Sequence, residues 1–249
     1  MIIRPLIYLL FFLSTCTSLK DRSLIHAFKF TDKNRQELKR VLGQYQEDSP
    51  KFAASHFIIR NMLGKQSVDT NSIKASQPYF DAWAAYFEKY GRYKNGAHYV
   101  ICDSINRLHP NKRVHTRYIP DLQHISADFL IRHIDYCFHI WQQYPWCKDI
   151  DFDTFCKYIL PYTTSNCYWE YASDFFLEKY AELRDTVQQK SYKEIGAILS
   201  KDVDRTFAQN WVLFTRKYPG LLPTTFENLA KAQIGTCLEA NIYKIAALR

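Results

Sequence analysis

At 249 residues, 47% hydrophobic and 23% charged, the chain is long enough for one or two domains with real cores and too apolar to be disordered. Seven glycines against 18 Tyr, 17 Phe and 5 Trp argue for long helices with aromatic packing and against a turn-rich all-β fold. A net charge of +8 and a pI near 9.0 would suit nucleic acid, but the basic residues alternate with acids, as in DKNRQELKR from Asp32 to Arg40. They form no stripe, so no nucleic-acid partner is expected.

The first segment addresses the chain to a compartment. Met1 to Arg4 is a short positive region, and LIYLLFFL from Leu6 to Leu13 has the length of a signal-peptide core while being too short to span a bilayer. Leu13-Ser14-Thr15-Cys16 follows and resembles the bacterial lipobox, in which the cysteine is lipidated and becomes the first mature residue; Thr15 departs from the Gly or Ala usual before it. Residues 1–16 are therefore expected to be a lipoprotein-type signal, with Cys16 anchoring an exported, cell-envelope protein to the membrane. The other reading is an ordinary secretory signal with an incidental cysteine. Both place the mature chain outside the cytosol.

Helices follow with recognisable punctuation. Thr31 can cap one whose apolar face is Leu38, Val41, Leu42 and Tyr45, and Ser49 with Pro50 starts another that ends at Gly64. A third is expected to begin near Pro78 and bury Phe80, Trp83 and Phe87, and Gly91 to Asp121 reads as less regular. Ser126 caps the strongest pattern, with Leu130, Ile134, Cys137, Phe138 and Trp141 on one face, so that His133 and His139 lie beside a packed stripe as core or surface histidines. After Tyr144-Pro145-Trp146, a helix from about Asp151 buries Phe152, Phe155 and Ile159 and stops at Leu160-Pro161.

Apart from Cys16, the cysteines are Cys102, Cys137, Cys147, Cys156, Cys167 and Cys237, with no C-x-x-C pair and no spacing suited to zinc. Cys137 and Cys156 fall on apolar helical faces, where a free buried thiol is the common state. The alternation of Asp149, Asp151 and Asp153 suggests a calcium loop only briefly, because Thr154 stands where the loop's glycine belongs and Leu160 where its bidentate glutamate belongs. No metal and no cofactor are expected.

Cys237 differs from the rest. In QIGTCLEANIYKIAALR, Gly235 and Thr236 precede a run in which Leu238, Ile242, Ile245 and Ala246 share a helical face, which puts Cys237 in the first turn of a helix. Helix N-termini favour thiolates over thiols, and many nucleophilic cysteines sit there. On the short helix before it, Thr224 and Glu227 form a capping-box pattern, read as structural.

The blocks FDTFCKYILPY and YPGLLPTTFENLAKAQIGTCLEANIYKIAALR, with NMLG at Asn61 to Gly64, resemble the helical N-terminal region and the start of the core in transglutaminase-like proteins of Bacteroides-type bacteria. Relatives tend to carry Asn-Glu-Pro where this chain has Asn166-Cys167-Tyr168. The resemblance implies a mainly α chain: a helical N-terminal domain over 22–205, then over 206–249 the first helices of an α+β, papain-like core, which is incomplete here. It also gives Cys237 a role, as the nucleophile that attacks an amide carbonyl and forms an acyl-enzyme resolved by water or an amine. The substrate would be a peptide or protein amide. A histidine and an aspartate follow the cysteine in that family, whereas all eight histidines here lie upstream of it. The expected function is therefore the N-terminal part of a cysteine acyltransferase or amidohydrolase, inactive by itself. The alternative is a non-catalytic helical lipoprotein that binds a protein or glycan through its aromatic-rich surface.

Overall fold

A computed structural model describes residues 22–90, 104–105, 107–108, 116–163, 172–207, 224–235 and 237–249. Among these, 74% are helical and 3% are in strands, so the chain is mainly α as its composition suggests. No described helix is long and apolar enough to cross a membrane. The helices are α1 (22–28), α2 (Arg35–Gln44), α3 (Ser49–Arg60), α4 (Thr70–Tyr90), α5 (Ala127–Gln143), α6 (Phe152–Tyr158), α7 (Ala172–Lys179), α8 (Ala181–Thr186), α9 (Tyr192–Phe207), α10 (Phe226–Ala232) and α11 (Cys237–Leu248). Strands β1 (Gln66–Val68) and β2 (Tyr118–Pro120) pair in a two-stranded sheet.

The chain divides into two compact units, Met1–Lys65 with Pro120–Asp135, and Gln66–Ile119 with Tyr136–Arg249. In the first, Leu38, Val41, Ile58, Ile59, Leu130 and Ile134 are buried. Polar groups tie its helices together. The Glu37 carboxylate accepts from the backbone N–H of Ala127 at 2.7 Å, next to Ser126, whose hydroxyl accepts from Phe129 at 3.2 Å. Two of the donors at the start of α5 are thus satisfied, as a buried helix end requires. The Lys51 ammonium pairs with Asp135 at 2.7 Å, and the Tyr45 hydroxyl donates to the same carboxylate at 3.1 Å. Burial, and then Asp135, pushes the Tyr45 phenol well above its ordinary range.

Several caps lie one step from where the sequence suggests. Thr31 does not cap α2; its hydroxyl donates back to the carbonyl of Phe28 at 3.0 Å, and a short 3₁₀ turn at Asp32–Asn34 intervenes. Asp48, not Ser49, caps α3, because its carboxylate reaches the N–H of Lys51 at 3.2 Å. That helix ends at Arg60, and Gly64 takes a left-handed φ of 78° in the turn beyond it.

In the second unit α4 begins at Thr70, eight residues before Pro78, which lies inside it. Asp69 sets the start by accepting from the N–H of Ser72 at 2.7 Å. The core gathers Tyr79, Phe80, Trp83 and Phe87 of α4 with Phe176, Phe207, Phe226 and Tyr243. Across it, Gln77 and Asn228 exchange amide hydrogen bonds of 3.0 and 2.6 Å. Cys137, Cys147 and Cys156 are buried thiols outside any disulfide. Most of the Gly91 to Asp121 stretch, with Cys102, and the 166–168 departure with Cys167, lie outside the described residues.

Candidate functional site

The site begins with the corner between α10 and α11. Gln233 ends α10 in a left-handed conformation, φ 50°, and Ile234 behind it is buried. A Cβ on Gly235 would stand 3.1 Å from the Phe207 ring and 3.2 Å from the Cβ of Glu239, so glycine lets the chain pass close against α9 before α11 starts. Cys237 is the first residue of α11, where the sequence places it, and its thiol is free and exposed. Among the described residues that thiol makes no hydrogen bond. His133 stacks on the Phe129 ring with centroids 6.2 Å apart, and His139 is exposed on α5. Cys16 lies outside the described residues.

The helix that carries the thiol is held by a different face from the one expected. Ile242 is buried, but Leu238 and Ile245 are 47% and 42% exposed, and the buried positions are Glu239, Ile242 and Tyr243. Tyr243 explains the rotation: its ring packs edge-on against Phe176 at 4.8 Å and Phe207 at 5.3 Å, and a Tyr ring buries more apolar surface than either aliphatic residue. Lys244 pairs with Asp204 of α9 at 2.5 Å, fixing the same orientation. Thr225, rather than Thr224, caps α10, accepting from Asn228 at 3.1 Å, while Glu227 pairs with Lys231 four residues on. Among the described residues the hydroxyl of Thr224 is left buried without a partner, as are the Tyr243 hydroxyl and the Trp83 indole N–H.

Sequence reasoning missed a second feature of this unit. The turn Pro145–Cys147, helix α6 and the segment leading into α9 surround a groove of about 760 Å³, lined by Trp146, Tyr158 and Tyr192 with Asp149, Gln188 and Gln189. Trp146 and Tyr192 also line a neighbouring cavity of about 110 Å³, where Tyr144, Tyr180, Leu199 and Leu248 meet. One signal was available. Tyr158 lies off the buried Phe155 and Ile159 face of α6 and is 68% exposed, an aromatic residue where the helical pattern calls for a polar one. The aspartates read against a calcium loop have other duties: Asp151 caps α6 through Thr154 at 2.8 Å, and Asp153 pairs with Lys157 at 2.6 Å. Among the described residues no group of histidine, cysteine and carboxylate side chains is placed to hold a metal.

No protein-family model matches the chain, and no curated protein or solved structure matches it either.

Proposed function

We propose that the chain is the helical part of an exported, cell-envelope cysteine acyltransferase or amidohydrolase of the transglutaminase-like kind, anchored through Cys16, with Cys237 as nucleophile and a peptide or protein amide as substrate. One observation carries the reading: of the four described cysteines only Cys237 is exposed, and it opens a helix whose base is packed by Tyr243, Ile242 and the close approach at Gly235. A nucleophile needs that combination of an accessible atom on a fixed backbone. In this reading the sulfur adds to the carbonyl carbon and the oxyanion is met by N–H groups at the start of α11. The amine then departs with a proton, leaving a thioester for water or a second amine.

Among the described residues no side chain is hydrogen-bonded to the Cys237 thiol to take its proton. The chain is therefore expected to label but not to turn over. Iodoacetamide at mild alkaline pH should modify Cys237 at least about tenfold faster than Cys137 and Cys147, since reactivity follows thiolate access. Burial pushes those two thiols up to about 12 and about 11. A glutamine-containing peptide incubated with the chain should show no transamidation or hydrolysis that depends on Cys237, as judged against Cys237→Ala. Labelling of Cys237 no faster than of the buried pair would remove the nucleophile reading.

The second reading, a non-catalytic lipoprotein that binds a protein or glycan, is favoured by the aromatic groove at Trp146, Tyr158 and Tyr192, whose lining residues include no cysteine and no histidine.

A further inference from the structure

Three aromatic rings converge on the groove of the second unit, those of Trp146, Tyr158 and Tyr192, and Tyr158 and Tyr192 are 68% and 40% exposed. Single exposed rings are ordinary on a protein surface, but three lining one groove are not. Among the described residues, the Asp149 carboxylate and the Gln188 and Gln189 amides between them make no hydrogen bonds with the protein. Thr154 and Ser191 also line the groove, but they are engaged in the caps of α6 and α9.

The walls are fixed before any ligand arrives. Cys147 and Ile150 close successive turns through Tyr144 and Cys147 at 3.0 Å each, and the Trp141 indole holds the carbonyl of Ile150 at 2.8 Å. Trp146 is stacked on Tyr144 with ring centroids 4.5 Å apart. On the far wall the Arg249 guanidinium donates to the carbonyls of Tyr158 and Pro161 at 3.0 and 3.1 Å, tying down the end of α6. A wall ordered in advance reduces the entropy lost on binding, so weak contacts suffice for recognition.

We propose that this groove binds a neutral oligosaccharide. A pyranose ring presents an apolar face of C–H groups that stacks on an aromatic ring, and a rim of hydroxyls that pairs with planar, two-atom groups such as carboxylates and amides. The groove offers both, side by side, in a volume of about 760 Å³, within the range of roughly 300–1,000 Å³ typical of small-molecule sites. Asp149 and Lys190 are its charged lining residues and their charges balance, so the lining carries no net charge to select a polyanionic glycan or a strongly charged peptide. An acyl chain would leave the carboxylate and both amides facing hydrocarbon. The inference rests on the binding reading above and is independent of Cys237.

The test is saturation-transfer NMR on the purified chain with cellotetraose, maltotetraose and mannotetraose, and in a separate arm with an uncharged proline-rich decapeptide. At least one tetrasaccharide should receive signal. Tyr158→Ala, which removes an exposed ring and leaves the core intact, should weaken that binding about three- to tenfold, the worth of one aromatic contact. Gln188→Ala should weaken it as well, with helical content unchanged in both variants. Transfer to none of the three sugars, or transfer that neither substitution alters, overturns the proposal. Binding of the decapeptide alone, sensitive to Tyr158→Ala, would overturn the saccharide while leaving the binding reading in place; binding of nothing would remove both.

Discussion

Tyr243 shows how one residue decides what the sequence pattern leaves open. In CLEANIYKIAAL the apolar residues are so dense that two overlapping stripes fit helical spacing, Leu238 with Ile242 and Ile245, or Ile242 with Tyr243 and Ala246. Periodicity cannot choose between them. The ring does, because Phe175, Phe176, Phe207 and Phe226 surround it with centroids between 4.8 and 6.2 Å. The position of Cys237 was legible for a different reason: a threonine, Thr236, just before an apolar-periodic run marks a helix start whichever stripe is buried. Its exposure was not legible, since it depends on which stripe wins. The Tyr243 hydroxyl is buried without a hydrogen bond, and such a group costs about 1–3 kcal/mol. Tyr243→Phe should therefore be neutral or stabilising in urea unfolding. Tyr243→Ala should destabilise by about 3–5 kcal/mol, as an emptied aromatic site does.

At the level of helices, existence was readable, and outside α11 so was the buried face, while several starts were not. Leu38, Val41, Leu130 and Ile134 are buried as the spacing indicates, because an apolar stripe must find a core wherever the helix begins. Starts depend on which of several adjacent polar residues reaches back to the free N–H groups, and DS at Asp48 and TT at Thr224 offer two each. Pro78 misled for a related reason. Proline is at home in the first turn, yet α4 runs through it from the Asp69 cap, with the Ser76 hydroxyl bonding the carbonyl of Ile73 at 2.9 Å in the turn before it. Two outcomes follow from the caps. Thr225→Ala should cost about 1 kcal/mol, read as a shift in the urea midpoint, whereas Thr224→Val, which removes an unpartnered buried hydroxyl, should not destabilise.

The second outcome is acid sensitivity. Hydrogen bonds hold three cap carboxylates below their usual range: Asp69 through the Ser72 hydroxyl and N–H, Asp151 through the Thr154 N–H and hydroxyl, and Glu194 through the Ser191 N–H and hydroxyl. A carboxylate whose folded pKa lies below its unfolded value stabilises the fold above the unfolded pKa, and that contribution is lost as pH falls through the folded one. Thermal stability should decline below the ordinary carboxylate range, and the decline should be shallower in Asp151→Asn, which keeps a capping oxygen without the titration. An unchanged pH profile would mean that the Asp151 cap adds nothing to the fold.

For the molecule as a whole, the helical class followed from composition, since few glycines and many large rings suit helices packed on one another. The assembly of the second unit did not follow. Its core joins Gln77 to Asn228 across 151 positions, and no local pattern signals which distant segments meet. The aromatic groove was hidden for the same reason, because Trp146, Tyr158 and Gln188 lie on three separate elements. On the lipoprotein reading, anchoring is a whole-molecule property argued from a local stretch, the tetrad ending at Cys16. On that reading, retention at the membrane rests on acyl chains at that one residue. A single acyl chain binds a bilayer marginally, whereas two or more hold a protein stably. Cys16→Ser should therefore shift the exported chain wholly from the membrane to the soluble fraction. High salt should not release the parent, because its +8 charge is scattered rather than gathered in a surface-binding patch. If the Ser variant stays with the membrane, or salt alone strips the parent, the anchor is not a lipid on Cys16.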